Sequence, residues 1–296
     1  MASFEHPEYL ASSIKPDRPR VVILSLASDF GCQVQLSNFP QLLESLGTVD
    51  LLYWQLVASG EMPKDFDLAI IEGAVTTAEH EDLLKEVRKI ADTVIAIGAC
   101  AATGGIPALV DDVNQAAQTV YDKAPAVVIA KIAEGCIAPK PISSVIPVDY
   151  TIPGCPLDPE EFSTVFQGAL LGVWERVNRE TLCAHCKIIE NPCFYVVQAL
   201  EAAESDQSKT PAAMAATATP CLGLVTQTGC GSLCISRGRP CTGCRGIAED
   251  ANLESARDYV RSMGRCVEEF DKAIEVYNSV QLRETATVDS LSESSS

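Results

Sequence analysis

The chain has 296 residues, of which 47% are hydrophobic, and this is enough apolar sequence for a main domain with its own core and a second, smaller domain. Its net charge of −18 comes from 40 acidic and 22 basic residues, without the basic stripe that a nucleic-acid-binding protein needs. The sequence has no run of about 18 apolar residues, so we expect no membrane span.

Residues 1–20 are predicted to form a polar arm. They contain neither an apolar signal core nor an adjacent arginine pair. We therefore expect the protein in the cytoplasm, where thiols stay reduced and clustered cysteines usually serve metal or redox chemistry. The odd total of 13 cysteines also argues against a disulfide framework.

From Val21 onward, strand patterns alternate with helix patterns. The predicted strands are VVILSLA, VDLLYW, DLAIIEG, TVIAIGAC, the weaker candidate AVVIA, and VDYTIPGC. The predicted helices are 33–46, AEHEDLLKEVRKIAD and 160–179. Apolar strands separated by helices predict an α/β domain with an open parallel sheet over residues 21–180. Sites in such sheets gather beyond the carboxyl ends of the strands.

The rest of the chain has a different composition. Residues 181–250 lose the periodicity and gain Gly, Pro and Cys, as expected for a loop-rich domain organised around metal. Within this domain, residues 202–220 are predicted to be a surface excursion. A C-terminal helix is predicted over 251–282, followed by a disordered tail over 283–296.

Three cysteines follow predicted strands at the same edge of the sheet. Cys32 follows the first strand, Cys100 ends TVIAIGAC, and Cys155 ends VDYTIPGC. We expect them to converge, because the carboxyl ends of parallel strands meet at one edge. The alternative is three unrelated buried thiols, since free cysteine is commonly found in cores.

Eight further cysteines lie between Cys183 and Cys244. Their spacing is C-x2-C-x6-C and, after a long gap, C-x8-C-x3-C-x6-C-x2-C. Eight thiols suit two four-thiolate sites, and thiolate is the soft ligand that zinc and iron–sulfur clusters require. Two C-x2-C pairs also fit structural zinc, but the three sheet-edge cysteines have no counterpart in a zinc ribbon and favour iron–sulfur clusters.

Together these segments resemble the small, electron-transferring subunit of [NiFe] hydrogenases, of the cytoplasmic type found in methyl-viologen-reducing and sulfhydrogenase-like complexes. The resemblance is carried by DFGCQVQ, GACAATGG, IPGCP and the pattern GCG-x-LC-x6-C-x2-C, and it runs from Val21 to Gly246. It implies a flavodoxin-like domain that holds a cluster proximal to a nickel–iron site. A second domain would then hold a medial and a distal cluster.

The resemblance also implies three ligand sets, and thus three clusters of the [4Fe-4S] type. The proximal set is Asp29, Cys32, Cys100 and Cys155; the medial set is Cys230, Cys234, Cys241 and Cys244; the distal set is Cys183, Cys186, Cys193 and Cys221. The medial and distal sets each contain a C-x2-C pair and two more distant thiols, as in common four-iron ligation.

Asp29 departs from the family pattern, because many relatives have a cysteine at this position. We favour ligation of the fourth iron through its oxygen, since Asp29 precedes Cys32 on the same turn. Alternatively Cys136 completes the site, or the site holds a [3Fe-4S] cluster on three thiolates. A solvated loop aspartate without a role is the remaining alternative.

Three other residues are secondary candidates. His185, inside the first C-x2-C pair, is expected beside the distal cluster or exposed, rather than as a ligand. Glu72 ends a strand at the same edge as Cys32, where it either hydrogen-bonds near the proximal cluster, relays protons or caps the strand. Cys266 is expected to be a small buried residue.

By the resemblance, the chain is a subunit of an oxidoreductase and has no catalytic residue of its own. A large partner subunit would carry the nickel–iron centre and contact the face bearing Asp29, Cys100 and Cys155, and a downstream subunit would accept the electrons. The alternatives are the related quinone-oxidoreductase-type cluster subunit and a non-catalytic zinc or metal-binding protein. The first of these places two adjacent cysteines at its cluster, and this chain has no Cys-Cys pair.

Overall fold

The computed structural model describes residues 18–57, 60–173, 180–197 and 220–293. The polar arm predicted at the N-terminus and the surface excursion predicted over 202–220 lie almost entirely outside these ranges. Across these ranges, no helix is both long enough and apolar enough to cross a bilayer.

A five-stranded parallel sheet forms the centre of the first domain. Its strands are β1 (Arg20–Ser25), β2 (Asp50–Trp54), β3 (Leu68–Glu72), β5 (Thr93–Ile97) and β7 (Tyr150–Ile152). Two short strands, β4 (Val75–Thr77) and β6 (Cys136–Lys140), form a separate antiparallel pair. The order β2-β1-β3-β5-β7 is the flavodoxin-like order, in which the winding reverses between β1 and β3.

Helices cover both faces of this sheet. They are α1 (Gly31–Ser37), α2 (Pro40–Leu46), α3 (Ala78–Ile90), α4 (Gly98–Thr103), α5 (Val113–Val120), α6 (Ala126–Ala133) and α7 (Pro159–Leu171). Alternate residues of β1 enter two separate cores: Val21 packs in the core that contains Phe162 of α7, whereas Val22 packs in the core that contains Leu84 of α3. Burial on both faces explains why the strands read as continuous apolar runs.

Two local expectations from the sequence are wrong. The segment AVVIA is helix α6, not a strand, because it lies outside the sheet and Val127 is 75% exposed, so no neighbouring strand stabilises an extended backbone. The helix predicted over 33–46 is divided into α1 and α2. Asn38 ends the first and Pro40, which has no backbone N–H to donate, begins the second.

The C-terminal part packs around a third apolar core. Its helices are α8 (Leu182–Ile188), α9 (Leu233–Ser236), α10 (Leu253–Ser262) and α11 (Val267–Glu293), and residues 194–197 are also helical. The C-terminal helix predicted as one element is two, separated at Gly264, whose φ is +69°. Helix α11 is kinked at Asn278 and continues past residue 282, where the sequence places its end.

A buried ion pair joins the two domains. The guanidinium of Arg245 donates to both carboxylate oxygens of Glu161 on α7, each at 2.7 Å. It also donates to the carbonyls of Pro153 at 2.8 Å and Thr228 at 2.9 Å. Arg245 is 2% exposed, so the first domain and the loop that carries the last cysteines share one desolvated contact.

Candidate iron–sulfur sites

Three cysteines meet at the carboxyl edge of the parallel sheet. Cys32 lies in α1 just after β1, Cys100 lies in α4 just after β5, and Cys155 follows β7. The charges of Cys155 and Cys100 both act on Cys32, and that of Cys155 also acts on Cys100. The structure thus brings together the three thiols that the sequence predicts at this edge, although Cys100 lies on a helix and not at the end of a strand.

Two thiols of the proximal set are shielded from water: Cys32 is buried and Cys100 is half-buried. Burial raises the pKa of Cys32 well above its ordinary value and that of Cys100 to about 11, and the neighbouring thiols add to both shifts. Thiolates this close together need a positively charged partner, which iron supplies. Gly98 permits the arrangement: its φ is +85°, and a Cβ there would lie 2.6 Å from Sγ of Cys32. The donor set and the glycine beside it fit an iron–sulfur cluster.

Asp29 lies beside the proximal set. Its Oδ1 accepts a hydrogen bond from the backbone N–H of Gly31 at 2.9 Å, and its charge acts on Cys100. Cys136 instead begins β6, in the separate strand pair, where its thiol donates to the carbonyl of Ile132 at 3.6 Å. Of the alternatives that the sequence leaves open, this geometry favours Asp29 over Cys136.

Glu72 ends β3 and lies under the proximal set. It is 2% exposed, and its Oε1 accepts a hydrogen bond from the backbone N–H of Cys32 at 3.0 Å. Burial raises the pKa of this carboxyl, and the hydrogen bond from Cys32 opposes the shift. Among the roles considered for Glu72, the geometry agrees with a hydrogen bond next to the proximal set.

The distal set is built on α8 and on the 3-10 turn that begins after Cys221. Cys183 and Cys186 lie one turn apart on α8, so both thiols are on one helix face. The charges of Cys221, Cys186 and Cys193 all act on Cys183, and burial raises the pKa of Cys183 to about 12. If residue 223 carried a Cβ, that atom would lie 3.6 Å from Sγ of Cys183 and 3.7 Å from Sγ of Cys221. Gly223 therefore lies next to both sulfurs.

The medial set surrounds α9. The charge of Cys230 acts on Cys234, and the charges of both act on Cys244. Burial raises the pKa of Cys244 to about 11 and that of Cys241 well above its ordinary value. The charges of Cys221, in the distal set, and of Cys244 both act on Cys241. The four thiols therefore lie near one another and near the other two sets, and this donor set fits a second cluster.

Two hydrogen bonds connect the three sets in series. The side chain of Arg245, which follows Cys244 of the medial set, donates to the carbonyl of Pro153, two residues before Cys155 of the proximal set, at 2.8 Å. The backbone N–H of Cys241, in the medial set, donates to Sγ of Cys221 in the distal set at 3.3 Å. The medial set therefore lies between the other two.

The two remaining candidates make other contacts. Nδ1 of His185 lies 3.0 Å from the hydroxyl of Ser232. Cys266 is half-buried and its thiol donates to a carboxylate oxygen of Glu268 at 3.0 Å, so the expectation of a buried residue is wrong. In the part of the chain that the structure describes, no three His, Cys, Asp or Glu side chains stand at the spacing of a single-ion site.

Sequence reasoning missed two tyrosines on the C-terminal helices. The charge of Cys155 acts on Tyr277, and that of Cys193 acts on Tyr259. Burial is the largest cause of the raised pKa of both phenols. Neither tyrosine lies within a cysteine motif, so only the folded arrangement identifies them. The sequence did contain a signal for Arg245, because this residue directly follows Cys244, the second cysteine of the last C-x2-C pair.

Comparison with known proteins places the chain among cluster-binding subunits. Residues 30–169 match the family described as NADH ubiquinone oxidoreductase, 20 Kd subunit. The vhu-type subunit of an F420-non-reducing hydrogenase from Methanocaldococcus jannaschii is 30% identical over 236 residues, covering 77% of this chain and 81% of that protein. The sulfhydrogenase 2 subunit delta of Pyrococcus furiosus is 28% identical over 232 residues, covering 78% of this chain and 87% of that protein.

A solved structure has the same fold. A chain of the actinobacterial-type NiFe-hydrogenase from Ralstonia eutropha H16 superposes with a TM-score of 0.51 at 15% identity, and the match covers 97% of this chain and 95% of that chain. The likeness extends through the parallel-sheet domain and the cysteine-rich region that follows it.

Proposed function

Because the chain belongs to the family of small, electron-transferring subunits of [NiFe] hydrogenases, we propose that it holds three iron–sulfur clusters on its proximal, medial and distal sets. Small subunits of this family carry iron–sulfur clusters; their number here and the ligands of each belong to the proposal. The observation that carries it is that the sets lie in series. Arg245, next to Cys244, donates to the carbonyl of Pro153 close to Cys155, and the backbone N–H of Cys241 donates to Sγ of Cys221.

The proposed ligands are those of the three sets. They are Asp29, Cys32, Cys100 and Cys155 for the proximal cluster, Cys230, Cys234, Cys241 and Cys244 for the medial cluster, and Cys183, Cys186, Cys193 and Cys221 for the distal cluster. All three clusters are of the [4Fe-4S] type in this proposal, with a [3Fe-4S] proximal cluster as the outcome if Asp29 is not a ligand. When bound, such clusters accept and release one electron at a time.

The chain's own residues set the environment of that chemistry. Burial keeps Cys32, Cys221 and Cys241 out of water, which protects their sulfurs from oxidation. Backbone N–H groups donate to the sulfurs: that of Gly243 to Cys241 at 3.4 Å, and that of Cys241 to Cys221 at 3.3 Å. Hydrogen bonds to sulfur and burial are two of the main determinants of cluster potential. The polypeptide therefore places the ligands and tunes them, and makes or breaks no substrate bond.

The catalytic nickel–iron site belongs to the large partner subunit. Cys155 and Asp29 are exposed and Cys100 is half-buried, so the proximal set opens on one face of the chain. A cluster there would be shielded from water only by a partner, which supports the large-subunit interface at this face. Electrons then leave from the distal end to a further acceptor subunit. A cytoplasmic location is part of the proposal.

The quinone-oxidoreductase-type subunit is the second candidate, because the matched family carries that description. The match ends at residue 169, before the eight cysteines of the medial and distal sets. A subunit with a proximal site alone has no use for those thiols. The hydrogenase assignment accounts for the whole cysteine pattern.

The test is an anaerobic affinity purification of the tagged chain from its native host, with iron, nickel and zinc measured in the eluate. The proposal expects about twelve irons per chain, four for each cluster, and nickel in a larger co-purifying subunit. About eleven irons would indicate a three-iron proximal cluster. Iron without nickel would support the quinone-oxidoreductase-type subunit. Zinc without iron would overturn both.

A further inference from the structure

Arg245 lies where the ligand loops of the proximal and medial sets meet. Its Nη1 donates to the carbonyl of Pro153 at 2.8 Å, two residues before Cys155 of the proximal set. Its Nε donates to the carbonyl of Thr228 at 2.9 Å, two residues before Cys230 of the medial set. Arg245 itself directly follows the last medial cysteine. One side chain therefore joins three loops, each of which carries a proposed cluster ligand.

The proximal side of this junction is fixed to the sheet. Pro153 directly follows β7, and the carbonyl of Gly154 accepts a hydrogen bond from the backbone N–H of Ala99 at 2.7 Å. Ala99 precedes Cys100 on α4, so this loop is held to the helix of another proximal thiol. The carbonyl that the guanidinium contacts therefore has a fixed position relative to the proximal set.

The medial side is built closely around the guanidinium. Gly229 has a φ of +126°, and a Cβ there would lie 2.7 Å from Cζ of Arg245. Only glycine therefore fits at this position, directly before Cys230, without displacing the guanidinium. The backbone N–H of Gln227 donates to the carbonyl of Gly246 at 3.0 Å, so the segments on either side of the junction are also joined through their backbones.

The charge of the arginine is neutralised where it lies. Both carboxylate oxygens of Glu161 accept from the guanidinium at 2.7 Å, and the two side chains are 1% and 11% exposed. A desolvated bidentate pair is held in one geometry. Because the pair adds no net charge beside the medial set, its effect on the relay is through position rather than through electrostatic potential.

We propose that Arg245 is a positioning residue that holds the proximal and medial ligand loops at a fixed separation and thereby sets the rate of electron transfer between their clusters. The inference rests on the proposed function. During hydrogen oxidation, one electron leaves the proximal cluster, which is oxidised, and reduces the medial cluster, and no bond is made or broken. The rate of such a step falls steeply as the two groups move apart, so a loosened junction slows it.

The experiment uses the anaerobically purified complex, reduced by hydrogen, frozen at successive times and examined by EPR. The informative variant is Arg245→Met with Glu161→Leu, which removes both charges together and fills the site with apolar side chains, so the chain should stay folded. We expect the proximal cluster to be reduced as fast as in the wild type and the medial cluster to be reduced severalfold more slowly. The magnetic coupling between the two reduced clusters should weaken, while the medial midpoint potential stays unchanged.

Two single variants test the geometry separately. Gly229→Ala places a methyl group against the guanidinium and should delay reduction of the medial cluster even though Arg245 is present. Arg257→Met is the matched control, because it breaks an ion pair between α10 and α11 whose side chains are 38% and 42% exposed. This control should leave the reduction rates of both clusters unchanged.

Three results would overturn the inference. A double variant with the wild-type medial rate would show that the arginine contributes to stability alone. A changed medial potential with unchanged magnetic coupling would show that its role is electrostatic. Loss of the medial cluster from the double variant would show that Arg245 is needed for cluster binding rather than for spacing. Iron content separates these failures from that of the proposed function: in an iron-loaded complex they refute only the positioning role, whereas a wild-type complex without iron refutes both.

Discussion

Replacing Arg245 by methionine should cost about 3–5 kcal/mol of unfolding free energy. The substitution leaves the carboxylate of Glu161 buried without its partner, and removal of one partner from a buried pair costs about that much. Solvent does not weaken this pair, because the side chains are 1% and 11% exposed. The carbonyls of Pro153 and Thr228 also lose their donor. The loss is between about a fifth and the whole of the stability of a typical domain, about 5–15 kcal/mol.

Urea-induced unfolding of the iron-loaded chain under argon, followed by circular dichroism, measures the effect. With a slope of about 3 kcal/mol/M, the midpoint should fall by about 1–2 M. The control is the double variant Arg245→Met with Glu161→Leu, which replaces the whole pair by apolar side chains and should recover most of the loss. If the single variant unfolds within about 0.3 M of the wild type, the reasoning about this ion pair is wrong.

The same variant predicts a pH dependence. Burial already raises the pKa of Glu161 even though the Arg245 guanidinium opposes the shift, and loss of that charge raises it further. A carboxyl whose folded pKa exceeds its unfolded value binds protons more tightly in the folded state, so stability falls as pH rises above about 4.3. The unfolding free energy that Arg245→Met loses relative to the wild type should therefore be larger at pH 8 than at pH 5.5. If this loss instead grows as the pH is lowered, the raised pKa of Glu161 is not its cause.

Three further predictions concern the clusters. The variant Gly98→Ala should lose the proximal cluster, which is about four irons per chain. The reason is that the alanine Cβ would lie 2.6 Å from Sγ of Cys32. A full complement of iron would show that the site tolerates the methyl group. Asp29→Cys should change the proximal EPR signal while Cys136→Ala leaves it unchanged, and the reverse pattern would assign Cys136 as the ligand. After iron is removed by an oxidant and a chelator, a protease should digest residues 181–250 earlier than the parallel-sheet domain. If both regions are digested at the same time, they are not separate folding units.

The parallel sheet was predictable because its strands are buried on both faces. The runs of β1, β3 and β5 have polar residues only at their ends, so the sequence separates them clearly from the helices. The convergence of Cys32 with Cys100 and Cys155 follows from that sheet alone. Segment AVVIA shows the limit of the same reasoning, because β-branched residues favour a strand only where a sheet is present to receive them.

The contacts between distant segments could not be predicted from the sequence. Tyr277 lies on α11, whereas Cys155, whose charge acts on it, follows β7. The pairing of Arg245 with Glu161 likewise depends on how the two domains dock. Contacts between distant segments leave no periodic pattern in either segment, whereas metal ligands leave a spacing that the coordination geometry imposes.

The hydrogen bond from Arg245 to the carbonyl of Pro153 has a consequence for the order of assembly. The acceptor belongs to the loop after β7, so it reaches its position only when that strand has joined the sheet. The donor directly follows the last pair of cysteines in the chain. The loop of the middle site can therefore dock in its final position only after the first domain has folded, and we expect the sheet to form before this site is complete.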